Sequence, residues 1–402
     1  MTVDYRSRRD ADITDIDITD FFSRILPGLL ESATPYVQPW LALNSPGDMS
    51  IECEGVRWHL AAKDGQIRFN QGVSEAGLLV KLTASEFSGL VNDLYTPMTF
   101  FVSGSLNILR GDITNFLDWW LIIRAVVDQR PIHIPGEAEF LDRNGEQLNL
   151  NHSFCLDDPI EDMRHFLETA GFLHIAGVFS DVEMAAVSAD IDKFHDNYCE
   201  GDDRSWWAST KNGERRLVRM QCFDEFSTAT REILADPRFR KIGDISGNGH
   251  VHCGLEGNAI EALIKPLDVV QGISDLPWHK DCSLGRHSYE CCSLTVGISV
   301  TGANADSGQL RVIAGSHRAL MWPSLLSKPE KYGLPIVDLP TKTGDITAHL
   351  SCTHHMAQAP TARERRVMYT SFRLPSVSVD SAIESKARIN QARELAYKTV
   401  SQ

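Results

Sequence analysis

Apolar positions along the chain fall into two textures. From about residue 20 they recur first at helical spacing, in Phe22, Ile25, Leu26, Leu29 and Leu30, within a segment Phe21 to Val37 that Pro27-Gly28 is expected to kink or divide. Short strand-like runs follow at Ser50–Cys53, Val56–Ala61, Ile67–Asn70 and Gly77–Leu82, the middle pair separated by the turn Lys63-Asp64-Gly65-Gln66. Thr83 or Ser85 is placed to cap a helix through Asn92, with Glu86 completing a capping box. The most apolar run, Phe116 to Val127, predicts a core or interfacial helix. It is about half the ~20 residues a membrane span needs and contains Asp118 and Arg124, so no span is expected.

Residues 136–158 are polar and turn-rich and predict a connector, which places a domain boundary at 145/146. Beyond it come a helix Ile160–Thr169, a turn at Gly171, a strand Phe172–Ala176, and a helix from about Ser180, where Ser180 and Glu183 form a capping-box pair. After a helical stretch to Tyr198, strand-like and turn-rich segments dominate from Arg215 to Phe372, and Val377–Gln402 predicts a charged surface helix.

Composition narrows the function. The 402 residues carry 54 acidic and 39 basic side chains, a net charge of −15, which argues against a nucleic-acid partner or an anionic lipid surface. Met1 to Asp20 lacks the apolar stretch of a signal peptide, and the nine cysteines include an adjacent pair, Cys291-Cys292, but no Cys-x-x-Cys. The reading is of reduced thiols in a cytoplasmic protein, without a disulfide framework or a structural zinc site.

The residues that carry chemistry lie in the second half. In Trp278-His279-Lys280-Asp281 the imidazole and carboxylate are two apart and share a face if the segment is extended. Downstream, Gly344-Asp345 leads through His349 to His354-His355, followed by Arg363-Glu364-Arg365-Arg366 running into a strand that ends near Phe372. Two imidazoles and one carboxylate on one metal leave three positions open, which suits Fe(II) and oxygen activation. A guanidinium nearby suits the carboxylate of a 2-oxoacid. Spacing alone leaves His354 against His355, and Arg365 against Arg366, open.

Residues 160–373 resemble the phytanoyl-CoA dioxygenase (PhyH) family of iron- and 2-oxoglutarate-dependent oxygenases. The matching stretches are Phe166–Phe172 leading to Gly177-Val178-Phe179-Ser180, then Leu276–Asp281, Ser307–His317, and Gly344-Asp345 through Arg366. The resemblance implies a double-stranded β-helix, or jelly roll, with flanking helices. It also implies Fe(II), 2-oxoglutarate and O2 as the reacting groups. His279 and Asp281 match two metal ligands. Counting from Gly344-Asp345 gives His355 as the third and Arg366 as the cosubstrate anchor, whereas counting back from Phe372 favours His354 with Arg365. The first count is adopted, with Thr295 assigned to the cosubstrate site as well. His349 is expected to line the barrel or hydrogen-bond within it.

Departures from the family pattern carry their own expectations. Lys280 should point away from the metal. Gly297 stands where relatives frequently have Trp, which predicts a larger pocket and a bulkier substrate. Ala357 lacks a hydroxyl frequent there, and the intact Asp281 favours hydroxylation or desaturation over halogenation.

Residues from about 20 to 135 resemble the sterol-carrier (SCP2-like) family, on Asn92–Ile108 with its Pro97-Met98 step and Gly104-x-Leu106-x-Ile108, then Gly111-Asp112. That resemblance implies a small α/β domain with a sheet covered by helices, serving lipid binding or dimerisation, so that a homodimer is one expected outcome. The whole chain is therefore expected to be α+β, with residues 1–145 SCP2-like and 146–402 the oxygenase. The implied function is hydroxylation, or another oxidation at an unactivated C–H, of a lipophilic small molecule such as a steroid, terpenoid or acyl chain, with release of succinate and CO2. The rivals are a non-catalytic lipid carrier or scaffold with a pseudo-oxygenase barrel, and a cupin-like zinc or manganese enzyme that does not use 2-oxoglutarate.

Weaker expectations attach to other segments. Gly243–Gly249 lacks the Lys-Ser/Thr of a phosphate loop and predicts a loop near the barrel mouth. Trp206-Trp207 and Tyr289 are placed at a substrate entrance, and Arg215-Arg216 could meet an anionic substrate group.

Overall fold

The structure is a computed structural model that describes residues 13–63, 65–202, 204–256, 259–271, 278–283, 293–324 and 328–374. The expected C-terminal helix, Tyr289, Leu276-Pro277 and Cys291-Cys292 lie outside the described residues.

The described residues open with α1 (Ile18–Asp20), capped by Asp17, and continue through a single π-helical turn Phe21–Ile25 into α2 (Leu26–Leu43). The division expected at Pro27-Gly28 takes the form of this π turn. It ends immediately before α2, where Pro27 occupies the first helical turn and its missing N–H costs nothing. Five strands follow, β1 (Met49–Cys53), β2 (Val56–Lys63), β3 (Gln66–Gln71), β4 (Leu78–Leu82) and β5 (Ile108–Arg110), in the order β3-β2-β1-β4-β5 with β1 and β4 parallel. Between β4 and β5 lie α3 (Ala84–Val91) and α4 (Pro97–Val102); Thr83 and Glu86 close the capping box on α3. The apolar run forms α5 (Ile113–Asp128), N-capped by Asp112, and nearly all of it is buried because it packs on α2 and the sheet.

The second half begins with β6 (Phe154–Cys155), α6 (Ile160–Ala170), β7 (Phe172–Ala176) and α7 (Asp181–Lys193), the last with the Ser180–Glu183 capping box. Then come β8 (Ser205–Thr210), β9 (Arg215–Met220), α8 (Thr228–Ala235) and α9 (Pro237–Asp244). The remaining strands are β10 (Val251–His252), β11 (Glu261–Lys265), β12 (Val269–Gln271), β13 (Ser293–Ser299), β14 (Leu310–Ile313), β15 (Ile336–Leu339), β16 (Ile346–Leu350), β17 (His355–Ala357) and β18 (Arg365–Arg373). α8 and α9 interrupt the stretch in which strand-like and turn-rich segments were expected to dominate. Gly243 is not in a mouth loop: it sits in α9, where a Cβ would come within 2.4 Å of the Phe372 ring.

Among the described residues ten strands form one sheet, β12-β8-β9-β11-β18-β13-β16-β7-β6 with β10 on β18, and β15-β14-β17 form another. Side chains of both sheets line one cavity, the two-sheet arrangement of a jelly roll. β18 shows how the layers are divided, because its side chains alternate. Met368 and Phe372 face the helical layer, with Thr230 Oγ1 3.6 Å from Met368 Sδ and the Phe239 ring 5.0 Å from that of Phe372. Arg365 and Tyr369, on the opposite phase, face the cavity.

Candidate metal centre

The cavity, of about 190 Å³, lies between the centre of the large sheet and the small one. Backbone pairing builds its polar end. His279 and His355 exchange main-chain hydrogen bonds, His279 N to His355 O at 3.1 Å and His355 N to His279 O at 3.0 Å, so their imidazoles stand side by side with centroids 4.3 Å apart. Asp281 is not on an extended strand as the His-x-Asp spacing suggested. It opens a short 3₁₀ turn, Asp281–Ser283, and this turn swings its carboxylate under both rings.

Oδ1 of Asp281 lies 3.5 Å from His279 Nε2 and 3.4 Å from His355 Nε2, and one ligand atom from each of the three residues falls within 4.8 Å of the others. His355 Nδ1 donates to the Thr353 carbonyl at 3.0 Å, which leaves the Nε2 lone pair free for a metal. Desolvation opposes the charge on Asp281, but the imidazoles of His355, His279 and His349 outweigh it and hold the carboxyl well below the usual carboxylate range. Burial and the neighbouring His349 push the His355 imidazole down to about 3, so it stays neutral. An ionised Asp281 beside a neutral His355 suits a divalent cation.

Around this end, Thr295 of β13 donates from Oγ1 to Asp281 Oδ2 at 3.1 Å, and His349 of β16 stands beside them. The cavity continues past Val218, Leu263, Ile264 and Leu310, with Trp206 and Tyr369 as its aromatic walls, to Arg365 and Lys265. These two cations are register partners on β18 and β11. Lys265 donates to the carbonyls of Ala357 (3.3 Å) and Gln358 (2.6 Å). Arg365 is 3% exposed and its Nε has no hydrogen-bond partner among the described residues.

The sequence of residues 167–367, half of the chain, matches the family Phytanoyl-CoA dioxygenase (PhyH). The chain belongs to the phytanoyl-CoA dioxygenase family. Members of this family are 2-oxoglutarate-dependent non-haem iron oxygenases, and the chain is an enzyme of that class. No curated protein matches it in sequence. Among solved structures it is similar to EvdMO1 (TM-score 0.43, 24% identity, covering 54% of this chain and 50% of that one), so the chain spans half the length of EvdMO1. It is also similar to the epimerase SnoN in complex with Fe3+, alpha ketoglutarate and nogalamycin RO (0.41, 18%, 53% and 83%), and to EctD from S. alaskensis (0.43, 17%, 61% and 83%).

Iron and 2-oxoglutarate are the groups that the PhyH family implies, and the residues present fit both. The donor set is two imidazole nitrogens and a carboxylate oxygen, and a buried guanidinium with an unsatisfied N–H faces the same cavity.

Several sequence expectations need correction within the PhyH frame. Arg366 does not reach the cavity. It shares the phase of Met368 and Phe372, and its guanidinium bonds Asp192 (2.7 Å), Glu364 (3.1 Å) and Ser188 (3.0 Å) behind the large sheet. Arg365 takes the inward position, ten residues after His355. His354 is fully buried and turned away, its Nε2 2.8 Å from the Trp322 carbonyl. Lys280, by contrast, points away from the carboxylate as expected, donating to the Ser316 carbonyl at 2.8 Å. Gly297 does not enlarge the pocket, because its register partner Tyr369 occupies the space: a Cβ at 297 would lie 2.8 Å from that ring. Of the aromatic pair only Trp206 lines the cavity, and Arg215 and Arg216 pair with Glu200 and Glu214 instead. Sequence reasoning missed Lys265 and Tyr369, whose signal was their strand phase relative to Arg365.

Proposed function

We propose that the protein is an Fe(II)/2-oxoglutarate-dependent dioxygenase that hydroxylates, or otherwise oxidises at an unactivated C–H, a lipophilic small molecule such as a steroid, terpenoid or acyl chain. The reading is carried by one observation: His279, Asp281, His355 and Arg365 meet in a single cavity although they are scattered over 87 residues of sequence.

In this reading His279, Asp281 and His355 hold the metal. Arg365, with Lys265 beside it, anchors the far carboxylate of the 2-oxoacid by charge-assisted hydrogen bonds. Thr295 keeps the Asp281 carboxylate oriented. The bound iron and 2-oxoglutarate supply the oxidising chemistry from O2, with succinate and CO2 as coproducts. The apolar wall of Val218, Leu263, Ile264 and Leu310 excludes water and receives a hydrocarbon, while Trp206 and Tyr369 limit its orientation.

The test is succinate formation by the full chain under air with Fe(II), 2-oxoglutarate and lipid extracts, alongside a mass-spectrometric search for a species heavier by one oxygen. Asp281→Ala is expected to abolish both signals while leaving the circular dichroism spectrum unchanged. Normal turnover by that variant would remove the ligand assignment, and absence of succinate from the wild type with every substrate pool would favour a lipid carrier.

For residues 1–145 we propose an SCP2-like lipid-binding or dimerisation domain ahead of the oxygenase at 146–402. The lipid role would fall to a groove of about 250 Å³ between α2, the β2–β3 turn and α5, where Leu30, Val37, Leu41, Ile67 and Val126 stand alongside Glu31, Gln38 and Gln66. A fluorescent acyl probe should bind there, survive Asp281→Ala, and be displaced when the exposed groove residue Thr34 is changed to Trp.

A further inference from the structure

The Asp281 carboxylate is contacted differently at its two oxygens. Oδ1 faces the paired rings of His279 and His355. Oδ2 faces Thr295 Oγ1 at 3.1 Å and His349 Nε2 at 3.6 Å. Thr295 and His349 are register partners on β13 and β16, so adjacent strands of the large sheet deliver two polar groups to one oxygen.

His349 is 1% exposed, its ring centroid is 4.1 Å from that of His355, and among the described residues neither of its nitrogens has a hydrogen-bond partner. Burying an imidazole in that state forfeits its hydration without replacing it. Leu or Phe would pack such a wall at less cost, so the ring's value lies in what its Nε2 faces.

Resting on the metal-centre reading above, we propose that His349 is a positioning residue: together with Thr295 it secures Oδ2 of Asp281, so that Oδ1 alone is offered to the metal between His279 and His355. A carboxylate free to turn could chelate through both oxygens and occupy a coordination position that the 2-oxoacid or O2 needs. Donors on one oxygen prevent that, and this is how groups behind a ligand set affinity and geometry. In this proposal His349 Nε2 faces Oδ2 from outside the ligand set rather than ligating.

The test is anaerobic titration of the full chain with Co(II) alone, followed by its visible absorption. His349→Phe should weaken Co(II) binding by about ten- to a hundredfold, while the melting temperature of the metal-free protein stays near wild type. His349→Gln, which keeps an N–H at similar reach, should recover most of that affinity and the wild-type cobalt spectrum. Thr295→Val should weaken binding too, and the double variant should lose less than the product of the two single losses, because both groups serve the same oxygen.

Wild-type affinity and spectrum in His349→Phe would overturn the proposal. So would three imidazole nitrogens coupled to the bound metal by electron-nuclear resonance, which would make His349 a ligand. If His349→Phe does not fold, the Gln and Thr295→Val arms decide, and wild-type affinity in Thr295→Val then counts against the proposal. A wild type that binds Co(II) no better than Asp281→Ala would instead sink the metal-centre reading itself.

Discussion

Arg365 and Arg366 are adjacent in sequence and separated by the thickness of a β-sheet. The first is 3% exposed beside Lys265 with an idle Nε; the second is tied to Asp192, Glu364 and Ser188 on the far side. A charge-assisted hydrogen bond to a buried carboxylate contributes about 1.5–3 kcal/mol. Arg365→Ala should therefore raise the 2-oxoglutarate concentration for half-maximal succinate formation by roughly ten- to a hundredfold. The Asp192 side of the Arg366 pair is well exposed, and such pairs contribute about 0–1 kcal/mol. Arg366→Ala should move that concentration by less than about threefold, and a larger change would return the anchor to Arg366. The alternative was visible in the sequence but not decidable there. The His-to-Arg spacing depends on the length of the turn between β17 and β18, whereas strand phase, set by Phe372 packing outward on Phe239, needs a partner to be read.

At the scale of elements, the turn into β16 holds the ligand strands in register. Gly344 has φ +81°, and a Cβ there would lie 1.8 Å from the Phe179 carbonyl, whose own N–H donates to Gly344 O at 3.0 Å. The next residue, Asp345, accepts from Gly177 N (2.8 Å) and Lys342 N (2.7 Å) and meets His174 Nε2 at 3.1 Å. Gly344→Ala combines a left-handed φ with a backbone clash, so it should cost about 2–4 kcal/mol in urea unfolding and loosen Co(II) binding through β16. Stability unchanged within error would mean that the turn is not a constraint. This Gly-Asp pair was legible because the turn chemistry is local, as were β7, α7 and the Ser180–Glu183 box. α8 and α9 were not legible, although Ser227 and Asp236-Pro237 carry ordinary capping signals, because each helix is only eight residues long, too short for helical periodicity to stand out between strand-like segments. The space at Gly297 could not be read at all: the ring that fills it comes from Tyr369, 72 residues away.

At the scale of the molecule, the first half is attached to the segment that supports the metal centre. Residues 316–324 receive Trp278, Lys280 and His354 from the site: Ser324 Oγ donates to Trp278 O at 3.0 Å, Lys280 N to Pro323 O at 3.3 Å, and His354 Nε2 lies 2.8 Å from Trp322 O. The same segment takes His133 N on Leu320 O at 2.9 Å, and Trp322 Nε1 donates to Asp118 Oδ1 of α5 at 3.0 Å. Buried apolar side chains run continuously from one half into the other, so a single cooperative transition is expected on heating.

Asp118 gives this junction a pH signature. Burial pushes its carboxyl up to about 6, against the opposing pull of the Trp322 N–H and of Lys331, while Asp112 adds to the rise. A carboxyl near 3.9 when unfolded and higher when folded holds its proton more tightly in the folded state. Its effect on stability is nil below about pH 4, grows unfavourable as pH rises through 4 to 6, and is complete at pH 7. Asp118→Asn keeps an oxygen for Trp322 Nε1 and removes the charge. The variant should therefore melt above wild type at pH 7, by a margin that shrinks to nothing near pH 4, measured by calorimetry across that range. A margin of the same size at both ends, or a variant that melts lower at pH 7, would mean that the carboxylate is held there by Lys331 rather than strained by burial, and that the junction is stabilised by charge.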